Sequence, residues 1–77
     1  MPLDPMPAWV RPRRAELGDQ LRNYRRAAGL SQIQLGERIG RDHKTIHRWE
    51  TAITDPTLTD LILIADAIGV PLGELVY

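Results

Sequence analysis

The sequence predicts an all-α domain of about five short helices packed round one core of Leu and Ile. Three observations predict it. Beyond the first dozen residues, apolar side chains recur at helical spacing in every segment. Ser31, Asp42 and Thr57 stand where helices would begin, as N-caps. Gly29, Gly40 and Gly69 stand where helices would end.

Residues 1–12 carry Pro2, Pro5, Pro7 and Pro12 and no helical periodicity, so they read as an extended, flexible arm. The domain proper is then residues 13–77. Within the arm, Trp9 and Val10 read as a small clip onto the domain surface. A second reading has Arg11, Arg13 and Arg14 follow a DNA backbone or reach a minor groove. The clip is preferred, because short basic arms are usually just solvated.

Pro12 suits the first turn of a helix running to about Ala28, because a helix start needs no N–H there. Leu17, Leu21, Tyr24 and Ala28 form its apolar stripe, Gly29 closes it, and Leu30 packs just beyond. Arg25 falls at the edge of that stripe. A cation there needs a partner, and Glu50 is the natural one, since it lies on the inward face of its own helix.

Ser31-Gln32-Ile33-Gln34 reads as a capping box for a second helix, with Ile33, Leu35 and Ile39 as its apolar residues and Gly40 as its stop. Only Arg41 and Asp42 separate it from a third helix, about 43–51. Ile46, Trp49 and Glu50 share the inward face of this helix. His43, Lys44, His47 and Arg48 share the outward face, which holds two cations, two imidazoles and no carboxylate. A short helix with long donors on its outer face fits the floor of a DNA major groove.

Residues 52–56 read as a loop. Thr57 caps a fourth helix, Leu58 to Ile68, with Asp60 in its first turn and Leu58, Leu61, Ile64, Ala65 and Ile68 on the core face. Pro71 opens a short fifth helix with Leu72 and Leu75 inward. Ile53, Ile62 and Leu63 are left over, either as scattered exposed residues or as a dimer contact.

The net charge is zero, yet its distribution is polarised. All ten Lys and Arg lie between Arg11 and Arg48, against four acids there (Glu16, Asp19, Glu37, Asp42), and the other six acids lie outside that segment. One side of the domain can therefore be positive toward phosphates. The absence of cysteine excludes disulfides and thiolate metal sites and fits a cytoplasmic location. No apolar run is long enough to span a bilayer, so no membrane partner is expected. His43 and His47 have the i, i+4 spacing of two metal ligands. Lys44 stands where a zinc hydrolase needs glutamate, and no third ligand is near. No nucleophile–base pair is evident either, so neither an enzyme, nor a metal, nor a cofactor is expected.

These residues together resemble the lambda-repressor-like helix-turn-helix family, also called Cro/C1 or XRE. The likeness spans roughly Leu17 to Leu75 and rests on Leu21, Arg25, Gly29-Leu30-Ser31-Gln32, Leu35, Gly40, Ile46 and Glu50. It continues through Pro56, Leu61, Ile64-Ala65, Ala67-Ile68-Gly69-Val70, Leu72 and Leu75. The resemblance implies a five-helix domain that binds double-stranded DNA operators, usually near-palindromic, as a two-fold homodimer. It implies a small, repressor-like transcriptional regulator whose recognition helix begins at His43. His43, Lys44, His47 and Arg48 would face bases. Gln32 would grip a phosphate with the free backbone N–H groups beside it. Ser31, Thr45 and Arg22 are further expected phosphate contacts, as is Arg41, which this chain has where the family does not. Arg25 and Glu50 match the family's interior ion pair.

Four positions depart from the pattern or strain it. Gly36 stands where the family usually has Ala, which lowers helix propensity by about 1 kcal/mol. Arg41 replaces a small apolar residue. Ala52 stands where glycine often ends the recognition helix, so that end is expected to take a different shape. The Asp42 carboxylate would repel a nearby phosphate. The family fold also serves as an antitoxin or as a protein-interaction module, which gives the alternative reading of a protein partner with or without DNA.

Overall fold

The computed structural model describes residues 6–77. Five helices follow in order: α1 (Val10–Ala27), α2 (Gln32–Ile39), α3 (His43–Glu50), α4 (Leu58–Ile68) and α5 (Leu72–Val76). The described residues contain no strand.

The local start and stop signals act as chain chemistry dictates. Ser31 Oγ accepts the Gln34 N–H at 3.0 Å while Gln34 Oε1 accepts the Ser31 N–H at 2.8 Å. Asp42 Oδ1 accepts the Lys44 N–H at 2.7 Å. Thr57 and Asp60 form a second reciprocal box. Each satisfies amides that the helix itself leaves without acceptors. Gly29, Gly40 and Gly69 follow α1, α2 and α4 in the left-handed conformation that glycine adopts without strain.

α1 begins earlier than the arm reading allowed. Val10, Arg11 and Pro12 form its first turn, with the Arg13 N–H bonded to the Trp9 carbonyl at 3.2 Å. Pro12 is the third helical residue, where no intrahelical acceptor is available, so its missing N–H costs nothing. Trp9 is 68% exposed and does not clip onto the surface. Met6 to Ala8 are non-helical and exposed, and residues 1–5 of the expected arm lie outside the described residues.

Leu21, Leu30, Leu35, Ile39, Ile46, Trp49, Ile64, Ala65 and Leu75 form the core. Around it α2 packs on α3 and α4, while α1 packs on α3 and α5. Three residues assigned to core faces are exposed. Ala28 lies past the end of α1 as its C-cap. Ile33 is 56% exposed, because Leu35 lies two residues on, about 200° round the helix, and it is Leu35 that is buried. Leu58 is 67% exposed for the same reason, as Asp60 takes the buried position at the start of α4.

Candidate nucleic-acid interface

α3 is eight residues long and lies across the front of the core. Ile46, Trp49 and Glu50 are buried beneath it, and His43, Lys44, His47 and Arg48 are all exposed on its outer side. Lys44 and Arg48 form no ion pair among the described residues. His43 Nδ1 lies 3.5 Å from the Asp42 carboxylate. The outer face therefore offers two unpaired cations and two imidazoles to whatever docks on it.

A buried ion pair holds α3 from behind. Arg25 donates from Nε to Glu50 Oε2 at 2.6 Å and from Nη2 to Oε1 at 2.9 Å, a two-pronged match of guanidinium to carboxylate. Its Nη1 donates to the Leu30 carbonyl at 2.8 Å, fixing the chain between α1 and α2. Burying two charges is tolerable only with such complete partnering, and no buried side-chain polar atom among the described residues lacks a partner.

The approach of α1 to α3 depends on Gly18. A Cβ there would stand 2.5 Å from the Glu50 carbonyl oxygen. Gly36 plays the same part in the turn, where a Cβ would stand 2.4 Å from the Arg41 carbonyl oxygen. Gly36 is thus more than a weak helix former. It lets the three-residue connection, Gly40 to Asp42, fold back over α2, with the Arg41 N–H bonded to the Gly36 carbonyl at 2.9 Å.

Three of the side chains expected at phosphates have partners within the chain. Gln32 Nε2 donates to Glu50 Oε1 at 3.1 Å and lies 3.4 Å from His47 Nδ1. Arg41 donates from Nε and Nη2 to Asp60 Oδ1, at 3.0 and 2.8 Å, and so ties the turn to α4. Arg22 pairs with Asp19 on the surface of α1. Ser31 and Thr45 remain at the starts of α2 and α3, exposed and half-buried respectively.

Other anchoring contacts carry no local sequence signal. Arg14 donates to Asp55 Oδ1 at 2.8 Å and to the Ala52 carbonyl at 3.1 Å, holding the loop after α3 against α1. Asp60 was legible as a cap, but its arginine partner was not. Burial pushes the Asp60 carboxyl up. The Thr57 backbone N–H, the Arg41 guanidinium and the Thr57 hydroxyl together outweigh that, so its pKa lies below the ordinary Asp value.

Ala52 takes the left-handed conformation, with φ 59°. α3 is therefore followed by the shape a glycine would give, not by a different one. No group of three or more His, Cys, Asp or Glu among the described residues is placed to hold a metal ion. No helix among them is long and apolar enough to cross a membrane.

Two short helices joined by a tight turn, braced by three others with the second presented outward, define a helix-turn-helix DNA-binding regulator. Residues 16–76 match a family described as a helix-turn-helix domain, and the chain belongs to that family, in its lambda-repressor-like form. The fold is similar to that of the restriction-modification controller protein C.AhdI from Aeromonas hydrophila. The two superpose with a TM-score of 0.76 at 30% identity, over 79% of this chain and 92% of that one. No curated protein matches it by sequence.

Proposed function

We propose that this protein is a sequence-specific, repressor-like regulator that lays α3 in the major groove of double-stranded DNA. The outer face of α3 carries this reading, with His43, Lys44, His47 and Arg48 exposed together and neither cation paired among the described residues. Their side chains supply donors that suit the acceptors of guanine and thymine edges. The Gln32 and Ile33 backbone N–H groups open α2 with no acceptor among the described residues, a position that favours a phosphate. Ser31, Thr45 and Arg22 are proposed as its neighbours on the DNA backbone. In this reading Gln32 contributes its backbone rather than its side chain, and Arg41 holds the turn through Asp60. The protein acts by binding and not by catalysis.

Ile53, Leu58, Ile62 and Leu63 are exposed on and just before α4. We propose that a second copy covers them, so that two recognition helices meet a near-palindromic operator about 34 Å apart, one turn of DNA. A protein partner on that same face is the alternative. Selecting bound duplexes from a random pool, followed by footprinting, tests both. An enriched motif with two inverted half-sites is expected. Failure to enrich any motif would refute the DNA reading, and a lone half-site would refute the dimer.

A further inference from the structure

The Glu50 carboxylate imposes hydrogen-bond directions that end on the outer face of α3. Paired with a guanidinium, it is an acceptor only. Its Oε1 accepts from Arg25 Nη2 at 2.9 Å and from Gln32 Nε2 at 3.1 Å. The Gln32 amide must therefore turn its NH2, and not its oxygen, toward Glu50. That nitrogen carries a second hydrogen and lies 3.4 Å from His47 Nδ1. A ring nitrogen facing an N–H acts as the acceptor. In the neutral imidazole the proton then sits on Nε2, at the far side of an exposed ring. His43 meets the opposite neighbour, an acceptor-only carboxylate 3.5 Å from its Nδ1.

We propose that Gln32 is a positioning residue for sequence readout. It fixes His47 as a hydrogen-bond donor through Nε2–H, aimed at an acceptor on a base edge: guanine O6 or N7, thymine O4 or adenine N7. The proposal rests on α3 being the DNA-facing helix. It gives α2 a part in specificity without touching a base, because the buried Arg25–Glu50 pair sets the Gln32 amide, and the amide sets the ring. Gln32 is not a phosphate clamp in this scheme.

The test compares duplex selections for the parent, His47→Ala, Gln32→Leu and His43→Ala, together with the 15N imidazole spectrum of the free protein. His47→Ala and Gln32→Leu are expected to lose preference at the same base pair, by roughly tenfold. His43→Ala is expected to leave that pair alone. The parent spectrum should show the Nε2–H tautomer of His47 in the neutral ring, and Gln32→Leu should show both tautomers. An Nδ1–H tautomer in the parent would overturn the proposal. So would a Gln32→Leu variant that weakens every sequence alike with its motif intact, since that is the signature of a phosphate contact. If Gln32→Leu does not fold, Gln32→Met replaces it in both measurements. If the parent selects no motif, the DNA reading fails, and the spectrum alone decides the tautomer.

Discussion

The α1–α3 junction and the α2–α4 junction are built from the same two devices. Each has a helical glycine pressed against a backbone carbonyl, Gly18 on Glu50 and Gly36 on Arg41. Each has an arginine–carboxylate pair that includes the residue whose carbonyl the glycine admits, Arg25–Glu50 and Arg41–Asp60. They differ in depth. The Arg25 and Glu50 side chains are 7% and 1% exposed, whereas Arg41 is 47% exposed beside an Asp60 that is 5% exposed. Water screens the second pair on one side and not the first. The inner junction should therefore fail outright when one charge is removed, and the outer one should only weaken.

The largest expected effect breaks the inner junction. Glu50→Ala leaves Arg25 buried without its carboxylate and should cost about 3–5 kcal/mol. Gln32 loses its anchor in the same step. In a domain of 77 residues that is much of the total stability. Urea melts that superimpose on the parent would show that the buried pair does not hold the junction together.

Gly36→Ala comes next, and here the sign decides. Helix propensity alone predicts a gain of about 1 kcal/mol. The Arg41 carbonyl, 2.4 Å from where the Cβ would stand, predicts a loss instead. Backbone cannot swing aside as a flexible side chain can, so a net loss of about 1–3 kcal/mol is expected. A stabilised variant would mean that the turn gives way freely.

These two variants also mark what was legible in the sequence. The caps, the glycine stops and the inward face of each helix are local, so residue type and spacing reveal them. Arg25 and Glu50 were legible as a pair because each is a charge on an apolar face, and such charges need one another. Gly18 and Gly36 were not, since spacing says which side faces inward but not how closely a neighbouring backbone passes. The same holds for Arg41, whose partner lies 19 residues on, and for Gln32, whose partner Glu50 lies 18 residues on. The outer face of α3 was legible throughout, because Ile46, Trp49 and Glu50 fix the opposite side.

Asp60→Asn sharpens the outer junction. It removes the charge that holds Arg41 and weakens the Thr57 cap, so a loss of about 1–2 kcal/mol is expected near neutral pH. The folded pKa of Asp60 is depressed. Its contribution is therefore complete above the ordinary Asp value of about 3.9 and is lost as pH falls through the lower folded value. The parent and Asp60→Asn should converge in stability over that acid range. Melts at stepped pH that stay parallel would show that Asp60 ionisation does not support the junction.

Ala52→Gly lies between the two junctions, at the end of α3. An L-residue in the left-handed conformation is strained, and glycine removes the strain at some cost in unfolded-chain entropy. A gain of about 0.5–1 kcal/mol is expected, read as a higher midpoint with an unchanged urea slope. A lower midpoint would mean that the methyl group contributes more by packing than the backbone loses by strain.

The smallest effect on stability is expected where neither junction is involved. Arg22 and Asp19 pair on the surface of α1, with side chains 32% and 62% exposed. Solvent and salt screen such a pair, so Asp19→Ala should change stability by less than about 0.5 kcal/mol. Its effect on DNA should be larger than its effect on folding. Removing Asp19 takes away a negative charge and leaves Arg22 unpaired, so affinity for all duplexes should rise together and the selected motif should not change. If Arg22 then neutralises one more phosphate, the slope of log affinity against log salt should steepen by about 0.9. Salt titration of parent and variant on specific and random duplexes measures this directly. An unchanged slope would remove Arg22 from the phosphate-facing surface, and a changed motif would mean that this part of α1 acts on readout through α3.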